Sequence, residues 1–153
     1  MRLVVQRVSK AVVTRVEDTQ RPDVKKEVVG EIEKGLFVLF GVKKGDTEKD
    51  AEILANKLFK LRVMSDSEDK MNLSVNDVNG KFLVVSQFTL YADTSGGNRP
   101  CFINAALPAD AKKIYEFFIE KLKSFGAAVA TGSFGDYMQI ETVLDGPVTI
   151  ICE

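Results

Sequence analysis

The chain of 153 residues contains no histidine. This absence excludes Ser-His-Asp and Cys-His catalysis, and it excludes every metal site that depends on imidazole. Tryptophan is also absent and only three tyrosines occur, so a platform for stacking nucleic-acid bases would depend on the ten phenylalanines. We therefore expect no metal and no cofactor, and any chemistry has to use hydroxyls, amides, backbone groups and the substrate itself.

Cysteines and long apolar runs are scarce as well. Cys101 and Cys152 lie far apart in the sequence, which predicts free thiols in a reducing compartment instead of a disulfide framework. No apolar run approaches the ~20 residues of a membrane span, and the apolar run at the N-terminus is too short for a signal peptide. These features predict a cytoplasmic protein without a membrane partner.

The charge balance limits the kind of nucleic-acid partner. The formal net charge is −1 and the isoelectric point is about 5.6. Such a chain is not expected to coat a polyanion, because that role requires a basic surface. This net charge remains compatible with a protein that binds only the end of a nucleic acid through a local patch.

Apolar periodicity predicts one α+β domain over residues 1–153. Strands are predicted at 3–8 and 11–16, either as two strands or as one bent or hairpinned ribbon, and at 28–32, 36–42, 62–64, 81–89, 127–130, 138–143 and 148–152. Helices are predicted at 47–61, where Thr47 and Asp50 resemble a capping box, and from Pro108 to about residue 125, whereas 17–26 is predicted to be a loop and 71–75 stays ambiguous. Because strands and helices do not alternate, we predict a largely antiparallel, barrel-like sheet with two main helices. Homodimerisation would cover a sheet edge.

A polar stretch, Ser86-Gln87-Phe88-Thr89, follows the apolar residues 82–85. One interpretation is a strand end whose hydroxyls cap nearby backbone. The other is the rim of a pocket that offers N–H groups and hydroxyls to an oxyanion. A nucleophilic Ser86 or Thr89 would need an adjacent base, and no histidine exists to serve as one.

A second stretch, Gly146-Pro147-Val148-Thr149, lies near the C-terminus. It is either a plain turn before the last strand or a rigid backbone element that recognises the amine of a ligand. Arg7 on the first strand is either an exposed charge or a hydrogen-bond donor to a site.

Several short motifs, which occur in order along nearly the whole chain, resemble those of the D-aminoacyl-tRNA deacylases. They are Gln6-Arg7-Val8, residues 70–74, Ser86-Gln87-Phe88-Thr89-Leu90-Tyr91-Ala92, Arg99-Pro100, Phe134-Gly135, Met138-Gln139 and Gly146-Pro147-Val148-Thr149. The motif that begins at Ser86 and the one that begins at Gly146 are highly specific together, whereas neither would be so alone.

The resemblance implies a deacylase-type homodimer of β-barrel-like subunits with the active site at the subunit interface. It implies hydrolysis of the ester that joins a D-amino acid, or misattached glycine, to the 3′-terminal adenosine of tRNA. Gly146 and Pro147 would form a cis Gly-Pro that enters the partner's pocket, holds the α-amine and excludes an L side chain. Arg7 would brace this motif, and Val148 and Thr149 would support it.

By the same resemblance, Ser86, Gln87, Phe88 and Thr89 would line the pocket for the ester and the adenosine. Phe134 and Met138 would form its wall, although such residues by themselves are more often in the core than in a pocket. An aminoacyl ester is already activated, so a positioned water and an oxyanion hole are sufficient. The terminal 2′-hydroxyl of the RNA would assist proton transfer, and Thr89 as nucleophile is the alternative.

Three positions depart from the family pattern. Leu144 stands where asparagine is common, Cys101 stands where serine is common, and the loop 17–26 is longer than in many bacterial members. Two rival functions stay open at this point. One is a nucleic-acid-binding β-barrel without catalysis, and the other is a structural dimer whose polar motifs only cap strands.

Overall fold

The computed structural model describes residues 1–17 and 25–153, so most of the predicted loop at 17–26, with Pro22, lies outside the described residues. The described part contains eight strands: β1 Arg2–Val16, β2 Lys26–Ile32, β3 Gly35–Gly41, β4 Arg62–Ser65, β5 Met71–Ser74, β6 Lys81–Ser86, β7 Val129–Thr131 and β8 Met138–Cys152. It also contains the helices α1, Glu48–Phe59, and α2, Pro108–Ser124, together with short 3-10 helices at Asn76–Val78 and Phe88–Tyr91.

Strand β1 organises a six-stranded, nearly closed, barrel-like sheet. Its first half pairs with β3, its second half pairs with β2, and β8 pairs along its other edge, all antiparallel. Strands β3, β6 and β7 are mutually parallel neighbours, and β4 and β5 form a separate antiparallel pair. The α+β class and the barrel-like sheet with two helices are confirmed, and antiparallel pairing predominates as predicted.

The structure decides between the two alternatives for residues 3–16 and corrects the predicted boundaries within residues 138–152. Residues 3–8 and 11–16 belong to one strand, because the register against β8 shifts by bulges instead of a turn. Residues 138–143 and 148–152 also belong to one strand. Between the pairs Gln6↔Thr149 and Val8↔Leu144, the single residue Arg7 lies opposite residues 145–148. The Gly-Pro stretch is therefore a wide bulge within β8 and not a turn between strands.

Both helices pack on one face of the sheet. Thr47 caps α1 through the predicted box with Asp50, which confirms the start of this helix. Phe40 of β3 contacts Phe118 of α2, with ring centroids 4.6 Å apart, and both side chains are fully buried. Burying such aromatic side chains between helix and sheet fixes α2 against the strands that end at the candidate site. No described helix is long and apolar enough to cross a membrane.

Candidate functional site

Strand β6 brings the polar stretch to the rim of the sheet. Its residues 82–85 are buried, and the strand ends at half-buried Ser86. The N–H of Gln87 still donates to the carbonyl of Phe40, at 2.8 Å, after which the chain enters the 3-10 helix Phe88–Tyr91. The predicted strand 81–89 is therefore wrong in its last three residues, because their backbone groups turn into this helix.

A distant arginine holds the 3-10 helix in place. The guanidinium of Arg2 donates to the carbonyl of Leu90 at 2.9 Å and lies over the ring of Tyr91, 5.3 Å from its centroid. Burial is the main cause that raises the pKa of Tyr91 to about 12, so its phenol stays neutral at physiological pH. This contact spans most of the sequence, and local propensity could not reveal it.

A cleft of about 750 Å³ opens beside this stretch, a volume usual for small-molecule sites. Ser86, Gln87 and Phe88 line one side of it, and Phe134 and Met138 line the other. Five of the predicted site residues therefore lie around one cavity. Its lining is mostly apolar, so it suits a ligand with a large flat or aliphatic part.

The far wall of the cleft is held by specific contacts. The backbone N–H of Ser133 lies 3.3 Å from the Sδ of Met138. The ring of Phe134 packs on Tyr115, with centroids 5.8 Å apart, and the Tyr115 hydroxyl donates to the carbonyl of Val84 at 2.8 Å. A Cβ on Gly132 would lie 2.9 Å from the Met138 sulfur, so only glycine leaves this wall undisturbed.

Sequence reasoning missed a third side of the cleft. Residues 102–107, here called the strap, contribute Phe102, Ile103 and Leu107, which are large, apolar and exposed. The Phe102 ring contacts Phe88 edge-on, with centroids 5.0 Å apart. The large apolar residues in the loop after Arg99-Pro100 could have indicated this side of the cleft, because a cluster of exposed apolar side chains often marks a binding surface.

Thr89 does not line the cleft. It is exposed, and its hydroxyl accepts a hydrogen bond from the Gln87 amide. Among the described residues, the hydroxyls of Ser86 and Thr89 contact no lysine or carboxylate that would act as a base. The described residues of this chain thus provide no base that would activate either hydroxyl as a nucleophile.

The predicted Gly-Pro stretch does not line the cleft of this chain. Gly146 and Pro147 are exposed, and the peptide bond between them is cis. Gly146 has φ of +129°, and a Cβ there would lie 2.9 Å from a Val148 methyl carbon. Val148 is half-buried against the core, and Thr149 is exposed, 3.4 Å from the Gln6 amide.

Arg7 contacts this stretch from β1. Its Nε donates to the carbonyl of Asp145 at 3.0 Å and lies 3.3 Å from the Asp145 carboxylate. Its Nη1 donates to the carbonyl of Val63 at 3.0 Å, and the Ser65 hydroxyl is 3.5 Å away. The Arg7 side chain is 11% exposed. It therefore ties the bulge of β8 to β4, as a hydrogen-bonding arginine and not as a free surface charge.

Comparison with known proteins agrees with this arrangement of elements. The family model described as D-Tyr-tRNA(Tyr) deacylase matches residues 4–153. The chain belongs to this deacylase family. Curated relatives named D-aminoacyl-tRNA deacylase include one from Thermosipho melanesiensis, 49% identical over all of this chain and 97% of that protein. Another, from Dehalococcoides mccartyi, is 52% identical over all of this chain and 94% of that protein.

Two solved structures share the fold. One, named "c-Myc DNA Unwinding Element Binding Protein", is 37% identical, with a TM-score of 0.88 over 100% of this chain and 98% of that chain. The other, described as "Structural Analysis of a probable eukaryotic D-amino acid tRNA deacylase", has a TM-score of 0.77 over 99% of this chain and 97% of that chain. It is 13% identical and supports the fold alone.

Two of the three departures from the deacylase pattern, Leu144 and Cys101, are exposed, and most of the third, the loop 17–26, lies outside the described residues. Leu144 is 44% exposed on the outer side of β8, opposite Val8. Cys101 is an exposed free thiol that pairs by backbone with Asp93, and it does not line the cleft. The other cysteine, Cys152, is buried and free, and burial raises the pKa of its thiol. Neither cysteine contributes to the candidate site of this subunit.

Proposed function

We propose that this chain hydrolyses the ester bond of D-aminoacyl-tRNA, and of misacylated glycyl-tRNA, and that it spares L-aminoacyl-tRNA. The observation that carries the proposal is the near-50% identity, over the whole chain, to proteins named D-aminoacyl-tRNA deacylase. The cleft beside Ser86-Gln87-Phe88 supports it, because its size and apolar lining suit an adenosine with an attached amino acid. Aminoacyl-tRNA is a cytoplasmic substrate, so we place the reaction in the cytoplasm.

The chemistry we assign needs no side-chain base. Phe88 and Thr89 open a 3-10 helix, and their N–H groups have no backbone acceptor among the described residues. Of these two donors, the Phe88 N–H belongs to a residue that lines the cleft, and it would stabilise the oxyanion that forms when water attacks the ester carbonyl. The vicinal 2′-hydroxyl of the terminal ribose would relay the proton from water to the leaving 3′-oxygen. Breaking the ester bond between the carbonyl carbon and this oxygen releases the free amino acid and the tRNA.

Chiral selection, in this proposal, requires a homodimer. Gly146 and Pro147 are exposed and do not line the cleft of their own chain, so they are available to enter the cleft of a partner. Strand β8 also exposes Val143 and Leu144 before this stretch and Ile151 after it, and exposed apolar residues of this kind are expected on a surface that is covered in an assembly. A backbone wall at the α-carbon would leave room for a D side chain and none for an L side chain.

The proposal is tested by hydrolysis of matched D-Tyr-tRNA, L-Tyr-tRNA and Gly-tRNA by the purified protein. We expect turnover of the D and glycyl substrates and no turnover of the L substrate above the uncatalysed rate. Equal rates on D-Tyr-tRNA and L-Tyr-tRNA would contradict chiral selection, and no turnover of D-Tyr-tRNA would contradict the activity itself.

A nucleic-acid-binding role without catalysis is the second candidate. One structural relative is named for binding a DNA element, which favours this role. The acidic isoelectric point and the absence of tryptophan are against it. It predicts that the protein binds uncharged tRNA as tightly as D-Tyr-tRNA and hydrolyses neither, which the same assay with a filter-binding measurement decides.

A further inference from the structure

A second groove joins the cleft end to end. It has a volume of about 780 Å³ and lies between the loop after β3, residues 43–47, and the first turns of α2. Lys44, Ala106 and Leu107 line both the groove and the cleft. An extended ligand that leaves the cleft past these three residues therefore enters the groove directly.

The junction is rigid. Lys43 and Ala105 form an antiparallel bridge, and the Lys44 N–H donates to the Asn104 carbonyl at 3.0 Å. The Ala106 N–H donates to the Val42 carbonyl, also at 3.0 Å. These bonds join the strap to the loop after β3, so the wall of the cleft and the floor of the groove move as one unit.

Most acidic groups of the groove are already neutralised. The Asp46 carboxylate lies 2.9 Å from the N-terminal ammonium and accepts the Lys43 N–H at 2.7 Å. Glu48 pairs with the Lys113 ammonium at 3.3 Å. These carboxylates therefore repel an incoming anion less than their number suggests.

Three lysines of the groove stay available. Among the described residues, Lys43, Lys44 and Lys49 form no ion pair within 4 Å, and Asp110 is the one lining carboxylate left without a cation. At the start of α1, the Asp50 N–H is already bonded to the Thr47 side chain. The groove thus presents exposed ammonium groups along a path that begins at the cleft.

We propose that this groove binds the phosphates of the unpaired 3′ strand of tRNA that precedes the terminal adenosine. The inference rests on the proposed function, because it requires the terminal adenosine in the cleft. Single-stranded RNA presents phosphates at regular intervals, and ammonium groups bind them without reading sequence. The groove would explain how a protein of net charge −1 binds a large polyanion. The positive charge is concentrated along the path of the RNA strand instead of being spread over the whole protein surface.

The experiment compares the wild type with Lys43→Gln/Lys49→Gln, whose side chains line the groove and not the cleft. Hydrolysis of D-Tyr-tRNA is measured from 50 to 200 mM salt, beside hydrolysis of 3′-O-(D-tyrosyl)-adenosine, which has no phosphate. Lys81→Gln is the matched control, because Lys81 is exposed at the other end of β6, about 17 Å from Ser86.

We expect the double variant to lose more kcat/KM on the tRNA than on the adenosine ester. Each lost phosphate contact reduces the slope of log kcat/KM against log salt concentration by ~0.7. Since the double variant lacks two such contacts, the rise from 50 to 200 mM salt should lower the activity of the wild type about sevenfold more than that of the double variant. The control should match the wild type on both substrates.

Two results would overturn the inference while the proposed function stands. One is an unchanged salt slope in an active double variant, and the other is an equal loss on tRNA and on the adenosine ester. Failure of the wild type to hydrolyse either substrate would instead overturn the proposed function.

Discussion

Replacing Arg7 with lysine should separate the Gly-Pro stretch from its support. The guanidinium bridges the carbonyls of Val63 and Asp145, each at 3.0 Å. A lysine keeps the charge but has one ammonium at the end of a flexible stem, so it cannot reach both acceptors in this geometry. The bulge of β8 would then lose its tie to β4.

The magnitude follows from the burial of these groups. The Arg7 side chain is 11% exposed, so its two bonds to backbone carbonyls are little screened, and charged hydrogen bonds of this kind contribute ~1.5–3 kcal/mol each. The Asp145 carboxylate is 47% exposed, so the ion pair adds about 1 kcal/mol or less. Because lysine recovers one contact, we expect unfolding to become easier by about 2–4 kcal/mol, a decrease in Tm of roughly 5–15 °C.

The assay combines calorimetry with turnover of D-Tyr-tRNA and L-Tyr-tRNA at a temperature where the variant is folded. We expect kcat/KM on the D substrate to fall by about 100-fold, since small displacements of positioning groups have effects of this size. Arg62→Lys is the control, because exposed Arg62 also donates to a carbonyl, that of Asn72, but does not contact the bulge. An Arg7→Lys protein with wild-type Tm, or with lowered Tm and intact activity, would refute the reasoning.

Three further predictions concern the catalytic mechanism, the wall of the cleft and the stability of the protein at low pH. Thr89→Ala should retain most turnover while a terminal 2′-deoxyadenosine in the tRNA abolishes it; loss of turnover in a folded Thr89→Ala protein would favour a nucleophilic mechanism. Gly132→Ala should push Met138 into the cleft and raise KM about tenfold with a small change in Tm, whereas Gly96→Ala, with open space around it, should change neither. Hydrogen bonds from the N-cap threonine of α1 lower the pKa of Asp50 below 3.8, so its contribution to stability is present above that pH and lost as the pH falls through the lowered value. The Tm difference between wild type and Asp50→Asn should therefore shrink in titrations below about pH 4.

Local patterns were sufficient for the helices and for most strands. Thr47 and Asp50 mark the start of α1 because a capping box is a contact between residues three apart. The unbroken apolar run of β3 predicted a strand buried on both faces, and nearly all of its residues are buried. Such signals arise within a few residues and do not depend on the rest of the fold.

The errors arose where distant residues decide the local structure. Phe88–Tyr91 has the composition of a strand, but Arg2 binds the Leu90 carbonyl and stabilises a 3-10 helix. Gly146-Pro147 has the composition of a turn, but it lies within one continuous strand opposite Arg7. Neither arginine contact can be read from neighbouring residues.

The candidate site was predicted through the family resemblance more than through chemistry. Phe134 and Met138 could not be told from core residues by periodicity, and the structure places them on the wall of the cleft beside Ser86. The strap was missed because residues 102–107 have no regular period. The assignment of catalytic and chirality-selecting roles stays a prediction.

The central claim is that each active site takes its cleft from one subunit and its Gly-Pro stretch from the other. It is tested most directly by coexpressing Gly146→Ala, which strains the bulge, with Ser86→Trp, which fills the cleft. Each variant alone should be inactive on D-Tyr-tRNA. Random pairing makes half of the dimers mixed, each with one intact site, so the mixture should recover about one quarter of wild-type activity. Mixed dimers that form, as verified by native mass spectrometry, yet hydrolyse no D-Tyr-tRNA would contradict the account.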